Sequence, residues 1–397
     1  MLWRASRIPY VLALRRGRVV QLSKEFHDYY GSHIVRLAPD ELSFTDGAAW
    51  RDIYVHRPGH QTFQKNSLWL NKTVNGVDSI FSANDEDHAR IKKLLNNSFS
   101  DKMMRAQEYL VRTQVDLFIE QIRAKIASKD DIFDMTQWFH WLTFDIVGYL
   151  AFSQSFSTLR DATERPWCAM LLGQFLYTTL STSCRYFPWL DRLMRMMTPK
   201  GVLYRRAQIF KKAQVKVHER LNATVDTPDF MKAVLRYNNE KGMSIPEIES
   251  SFPLILIAGS ETTATSLVGT ALGLMQEPDV LAQLVAEVRG TFKSEAEITY
   301  TSCEKLPYLN AVISEGLRAS AAVPWGHPRT VPPGGDTVAG EWLPGGVSFL
   351  SPNNIFITCI HSTLTPPPIS PTTPLTPPAD RMLPQRLRRL QLKPQLP

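Results

Sequence analysis

Two short apolar runs, Ile34-Val35-Arg36-Leu37 and Leu42-Ser43-Phe44, flank the turn-forming Ala38-Pro39-Asp40-Glu41. Alternation over so few residues, with proline and acids between, predicts a β-hairpin within residues 30–46. From about Asp85 to Tyr237 the apolar period lengthens to that of helices, predicted over 86–97, 101–127, 135–152, 166–182 and 203–221. The stretch Trp138–Phe152 is apolar enough for a buried helix, but His140 and Asp145 interrupt it and it is shorter than a membrane span. Ser244-Ile245-Pro246-Glu247 is a helix start: a serine cap, proline in the first turn and glutamate at the third position satisfy amides that otherwise lack partners. A long helix should run from there to about Gln276.

Its centre passes from the apolar run Leu254–Ala258 into Gly259-Ser260-Glu261-Thr262-Thr263-Ala264-Thr265. Small residues there permit close approach to the backbone, and threonine hydroxyls can bond back to helix carbonyls. Taken alone, this would also suit a tight helix crossing. A further helix is predicted from about Tyr308 to Ala319, where Glu315 and Arg318, three apart, share a face as an ion pair. Beyond it, Pro324, Pro328, Pro332-Pro333-Gly334-Gly335, Gly340 and Pro344-Gly345-Gly346 punctuate short extended pieces such as Thr337-Val338-Ala339. The expected class is mainly α with small β-sheets.

Composition adds exclusions. The chain has 397 residues, 44% of them hydrophobic, enough for a sizeable core. Its formal charge of +7 is spread along the chain without a nucleic-acid-reading motif, so nucleic-acid binding is not expected. Cys168, Cys184, Cys303 and Cys359 are widely spaced, with no CxxC or Cys/His cluster, which argues against a disulfide framework and a structural zinc site. The apolar run Ile8–Leu14 is too short to cross a bilayer and is followed by Arg15, Arg16 and Arg18. It reads as a packed leading segment, with contact to an anionic membrane surface as the alternative.

The pieces in this order resemble the cytochrome P-450 monooxygenases, the fungal-type members in particular. Ala258-Gly259-Ser260-Glu261-Thr262 is similar to the [AG]GxxT oxygen-activation motif, Glu315-x-x-Arg318 to the ExxR motif, and Leu306–Val312 and Val331–Gly335 to their flanks. His88-Ala89-Arg90-Ile91-Lys92 resembles the helix that crosses the haem edge. The resemblance spans about residues 5–347. It implies haem as cofactor, an NADPH-dependent reductase as electron donor, a small apolar substrate, and association with the endoplasmic reticulum membrane, although no transmembrane segment is found. By the same resemblance, Thr262 and Glu261 are the catalytic alcohol and acid of a proton relay. Ala258 and Gly259 approach the cofactor, His88, Lys92 and Arg329 hold the haem propionates, and Glu315 with Arg318 is structural.

At Gly346-Val347 the resemblance stops. The family's FxxGxRxCxG loop, which supplies the thiolate to iron, has no counterpart: seven, four and two residues before Cys359 stand Pro352, Ile355 and Ile357, and two after it His361. Ten of residues 361–397 are proline, a composition that favours an extended tail over a packed core. The expectation is therefore a domain over 1–347 lacking its haem-ligand region, and an aberrant, disordered tail over 348–397. The chain as written should be truncated and inactive. The alternatives are a genuine pseudoenzyme, or an interaction protein using its proline-rich tail.

Overall fold

The computed structural model describes residues 2–350 apart from 71, 129–131, 164–176, 224–226 and 237–241. The expected tail, Cys168 and Cys359 lie outside the described residues, except that Ser348–Leu350 falls within them. The described residues fall into two compact units, one of 2–264 with 323–350, the other of Thr265–Ala322.

In the first unit the hairpin forms as expected, β1 (Ile34–Ala38) pairing antiparallel with β2 (Glu41–Phe44). It extends into a five-stranded sheet with β3 (Gln64–Lys65), β4 (Arg329–Thr330) and β7 (Ser348–Leu350), in the order β1-β2-β7-β4-β3. A separate hairpin joins β5 (Asp336–Val338) to β6 (Glu341–Leu343). β7 lies parallel to β2 and antiparallel to β4, so it is the central strand. Ordered structure thus continues to Leu350, past the boundary expected at residue 347. Leucine, phenylalanine and valine on one face, including Leu42, Phe44, Phe63, Val331 and Phe349, close a core against Ala49 and Ile53.

The helices of this unit follow the sequence periodicity closely: Asp85–Asn96, Asp101–Ala127, Met135–Phe152 and Lys200–Asn222. Residues 177–185 are helical, the described part of the helix expected over 166–182. The 135–152 helix buries ten residues, as its composition requires, and packs Phe144, Val147, Ala151 and Phe152 with Phe230, Met231, Ile248, Phe252 and Leu256. Asp145 is tolerated inside because its carboxylate accepts the backbone amides of Phe156 and Leu159, at 2.9 Å each. The leading run forms a helix, Ile8–Arg15, with Tyr10, Val11, Ala13 and Leu14 buried. Among the described residues, no helix is long and apolar enough to cross a membrane.

The central helix, Ile245–Gln276, starts as expected, with Ser244 N–H donating to Glu247 at 2.7 Å and Glu247 N–H to Ser244 Oγ at 3.4 Å. In the second unit its last turns cross the Pro307–Ala319 helix at two glycines. A Cβ on Gly269 would lie 2.2 Å from Ser320 Cβ, and one on Gly316 would lie 2.1 Å from Thr270 Oγ1. Glycine there is what lets the backbones approach. Glu287, on the Pro278–Thr291 helix, accepts the first free amides of the ExxR helix, from Tyr308 at 2.9 Å and Leu309 at 2.8 Å. A carboxylate at a helix N-terminus also meets the positive end of the helix dipole.

Candidate active site

Two groups of side chains in the first unit carry the candidate chemistry. One is the small-residue turn of the central helix. Thr262 Oγ1 donates to the Ala258 carbonyl at 2.7 Å, the back-bond its position predicts. Glu261 is half-buried and accepts from His140 Nδ1 at 3.1 Å. That partner was not legible in the sequence, where His140 read only as a break in an apolar helix; it places the Glu261 carboxylate between the two helices. Ala258 is exposed. Gly259 faces the 135–152 helix, since a Cβ there would sit 3.1 Å from Val147.

The other group is cationic. Lys65, His88 and Arg329 line one cavity of about 170 Å³ with Tyr54, Phe63 and Asp85. β3 and β4 bring Lys65 and Arg329 into register as direct cross-strand partners, and the 85–96 helix supplies His88. Lys92 lies one turn further along that helix, exposed, and acts on His88 through its charge. Like charges directly opposite one another across a sheet repel. The cost shows in the proton affinities. Burial, then Arg329, lowers the pKa of Lys65; burial, then Lys65, Lys92 and Arg329, lowers that of His88. His327, stacked on Phe81 with ring centroids 4.9 Å apart, is lowered to about 4 by burial, then Arg329 and Lys65. Lys65 is held by the carbonyls of Phe81 and Ala83 at 2.8 and 3.0 Å, and Arg329 reaches the Phe63 carbonyl at 3.2 Å. Among the described residues, buried Arg329 Nε and His327 Nε2 have no hydrogen-bond partner. Clustered cations with unspent donors have the chemistry to hold a carboxylate.

A pH dependence follows. The unfolded chain binds a proton near pH 6.5 that folded His327 refuses until about pH 4. Stability should therefore fall as pH drops through this window, by about 1.4 kcal/mol per unit, reaching about 2 kcal/mol at pH 5. The lowered pKa of His88 acts with the same sign. Urea unfolding at pH 7 and pH 5 measures the loss, and His327→Asn should make it smaller; an unchanged loss would contradict the assignment.

Glu315 and Arg318, in the second unit, form a forked ion pair, with Arg318 Nε donating to Glu315 Oε2 at 2.6 Å. Both side chains are mostly buried, at 21% and 15% exposure.

The family model for Cytochrome P-450 matches residues 12–349. The chain belongs to the cytochrome P-450 family. It is 38% identical to cytochrome P-450 monooxygenase lcsI of Purpureocillium lilacinum over 86% of this chain and 67% of that protein. It is 35% identical to versicolorin B desaturase of Dothistroma septosporum, over 86% and 67% of the respective chains. To averantin hydroxylase of the same organism it is 36% identical, over 87% and 65%. A cytochrome P-450 takes haem as its cofactor, and the residues present fit that group on one side. The cations and orphaned donors around Lys65, His88, His327 and Arg329 suit its two carboxylates. They do not fit it on the iron side. Of the described cysteines, Cys184 ends the 177–185 helix within reach of the charges of Arg15 and Asp191, and Cys303 ends a four-residue helix ahead of the ExxR helix. Neither stands in an FxxGxRxCxG context, and nor does Cys168 or Cys359. Lys65 and His327 were missed by sequence reasoning because the strand pairing that unites them joins residues about 260 positions apart.

Proposed function

We propose that this cytochrome P-450 chain carries the oxygen-handling and propionate-holding parts of a monooxygenase that oxidises a small apolar compound of fungal secondary metabolism, with electrons from an NADPH-dependent reductase. The observation that carries the reading is the alcohol–acid pair on the central helix, Thr262 back-bonded to Ala258 and Glu261 held by His140. An alcohol that can both donate and accept, next to a carboxylate that exchanges protons with solvent, suits proton delivery at one point of the central helix. Relatives named as a desaturase and a hydroxylase support oxidation of a carbon skeleton. Haem supplies the oxidising chemistry in this family, and its thiolate ligand sets the reactivity. Because no cysteine of this chain stands in the ligand-bearing motif, the polypeptide as written holds haem weakly and does not oxygenate.

Haemin titration of the full chain tests the cofactor assignment. Weak binding is expected, further weakened about tenfold by Arg329→Gln, the scale of a lost charge-assisted hydrogen bond. Affinity indifferent to Arg329→Gln, in a variant whose unfolding curve is unchanged, would overturn it.

A further inference from the structure

The helix Val19–Tyr30, in the first unit, buries three residues at helical spacing, Val19, Ser23 and His27, and two of the three are polar. They meet Ser43 of β2. His27 Nε2 lies 3.0 Å from Ser43 Oγ, Ser23 Oγ lies 2.8 Å from the same oxygen, and His27 Nδ1 lies 2.7 Å from the Ser32 carbonyl. Ser23 and Ser43 have no exposed surface, and His27 is 7% exposed. The surroundings are apolar, with Leu22 and Phe26 of the same helix packed against the cluster of Tyr10, Val11, Val35 and Leu37.

The Ser32 carbonyl can only accept, so the proton of a neutral His27 ring stands on Nδ1 and leaves Nε2 as an acceptor. Ser43 then donates to Nε2, and Ser23 donates to Ser43. Each proton has one place. A second proton on the ring makes Nε2 a donor and reverses the order, because Ser43 must now accept from His27 and donate to Ser23. The Ser23 proton then needs a new acceptor, and Ser23 Oγ has no other hydrogen bond among the described residues. A buried cation and a displaced hydroxyl proton both raise the energy of the closed arrangement.

The charges around the ring leave that direction in place. Burial lowers the pKa of His27 from 6.5, the Ser32 carbonyl raises it, His33 at the entry to the hairpin lowers it and Asp28 on its own helix raises it, with a net lowering. His33 Nδ1 meets Thr45 Oγ1 at 3.0 Å, and Asp28 is paired with Lys24 at 2.5 Å. On the same face of β2 as Ser43, two residues away, Glu41 is paired with Arg7 at 2.6 Å. Burial raises the pKa of Glu41, so a proton there favours the closed arrangement and opposes the effect of His27.

We propose that His27, Ser23 and Ser43 form a clasp that fastens the helix Val19–Tyr30 to the β1–β2 hairpin while the ring is neutral and releases it when the ring takes a second proton. The opened helix binds a proton near pH 6.5 that the closed one resists, so opening is favoured as pH falls below that value. The clasp lies in the first unit and is independent of the oxygenase reading.

Hydrogen exchange of the full chain at pH 7.5 and pH 5, read as protection factors corrected for the intrinsic pH dependence of exchange, tests the clasp. The amides of residues 19–30 should lose protection about threefold or more between the two, while staying less protected than those of the 135–152 helix, the mark of a local opening. His27→Gln, which cannot take up the proton but keeps an acceptor for Ser43, should abolish the loss. Ser43→Ala, which removes the hydroxyl that donates to Nε2, should lower the protection of residues 19–30 already at pH 7.5, and serves if the glutamine variant does not fold. The proposal is overturned by no loss in the wild type, by a loss of the same size in His27→Gln, by one shared protection factor for both helices at each pH, or by unchanged protection in Ser43→Ala.

Discussion

Phe349→Ala should cost about 3–5 kcal/mol of stability, the range for removing a fully buried aromatic side chain. Phe349 has no exposed surface, and its ring stands edge-on between Phe44 and Phe63, with centroids 5.6 Å from each. Its strand is central, so the cavity opens where β2 and β4 meet β7 and cannot be closed by an edge moving inward. Urea unfolding followed by circular dichroism measures the effect, and a loss below about 1 kcal/mol, the scale of a typical surface change, would contradict the central placement of β7. The sequence resemblance thins at Val347, yet the next three residues pair on both sides.

An effect of similar size is expected at Asp229. Its carboxylate is fully buried and accepts Arg220 Nε at 2.5 Å and NH2 at 3.1 Å, Ser153 Oγ at 2.5 Å and the Lys232 amide at 2.7 Å. Asp229→Ala removes four acceptor interactions and strands the Arg220 charge, whose side chain is only 4% exposed. Leaving such a charge uncompensated costs about 3–5 kcal/mol. Replacing both partners, as in Arg220→Met with Asp229→Leu, should recover most of the loss, because apolar substitutes carry no desolvation penalty. A double variant no more stable than Asp229→Ala would show that the acceptor network, rather than the stranded cation, dominates.

Much of this was legible in the sequence where one local signal sufficed. The 101–127, 135–152 and 245–276 helices follow the periodicity to the residue, and the Ser244–Glu247 cap forms as its spacing predicts. The Pro188–Met197 helix went unread, although proline in its first turn and apolar residues at Trp189, Leu193 and Met196 mark it. Other features were invisible because they arise from pairing at long range. Nothing near Lys65 announces Arg329 as its cross-strand neighbour, and nothing near His140 announces Glu261. The motif residues themselves were readable, but which side chains hold them required the fold. Gly259 shows the converse: its small size accommodates Val147, a packing role that the motif alone does not distinguish from contact with a cofactor.

No cysteine of this cytochrome P-450 chain stands in an FxxGxRxCxG context, and the proposed function takes haem bound to it to lack a sulfur ligand. The most direct test is the absorption spectrum of the haemin-loaded full chain, reduced with dithionite and treated with carbon monoxide. The expected spectrum is the Soret band of a haem without thiolate ligation; the red-shifted Soret band of a thiolate-ligated carbon monoxide complex would overturn the proposed function.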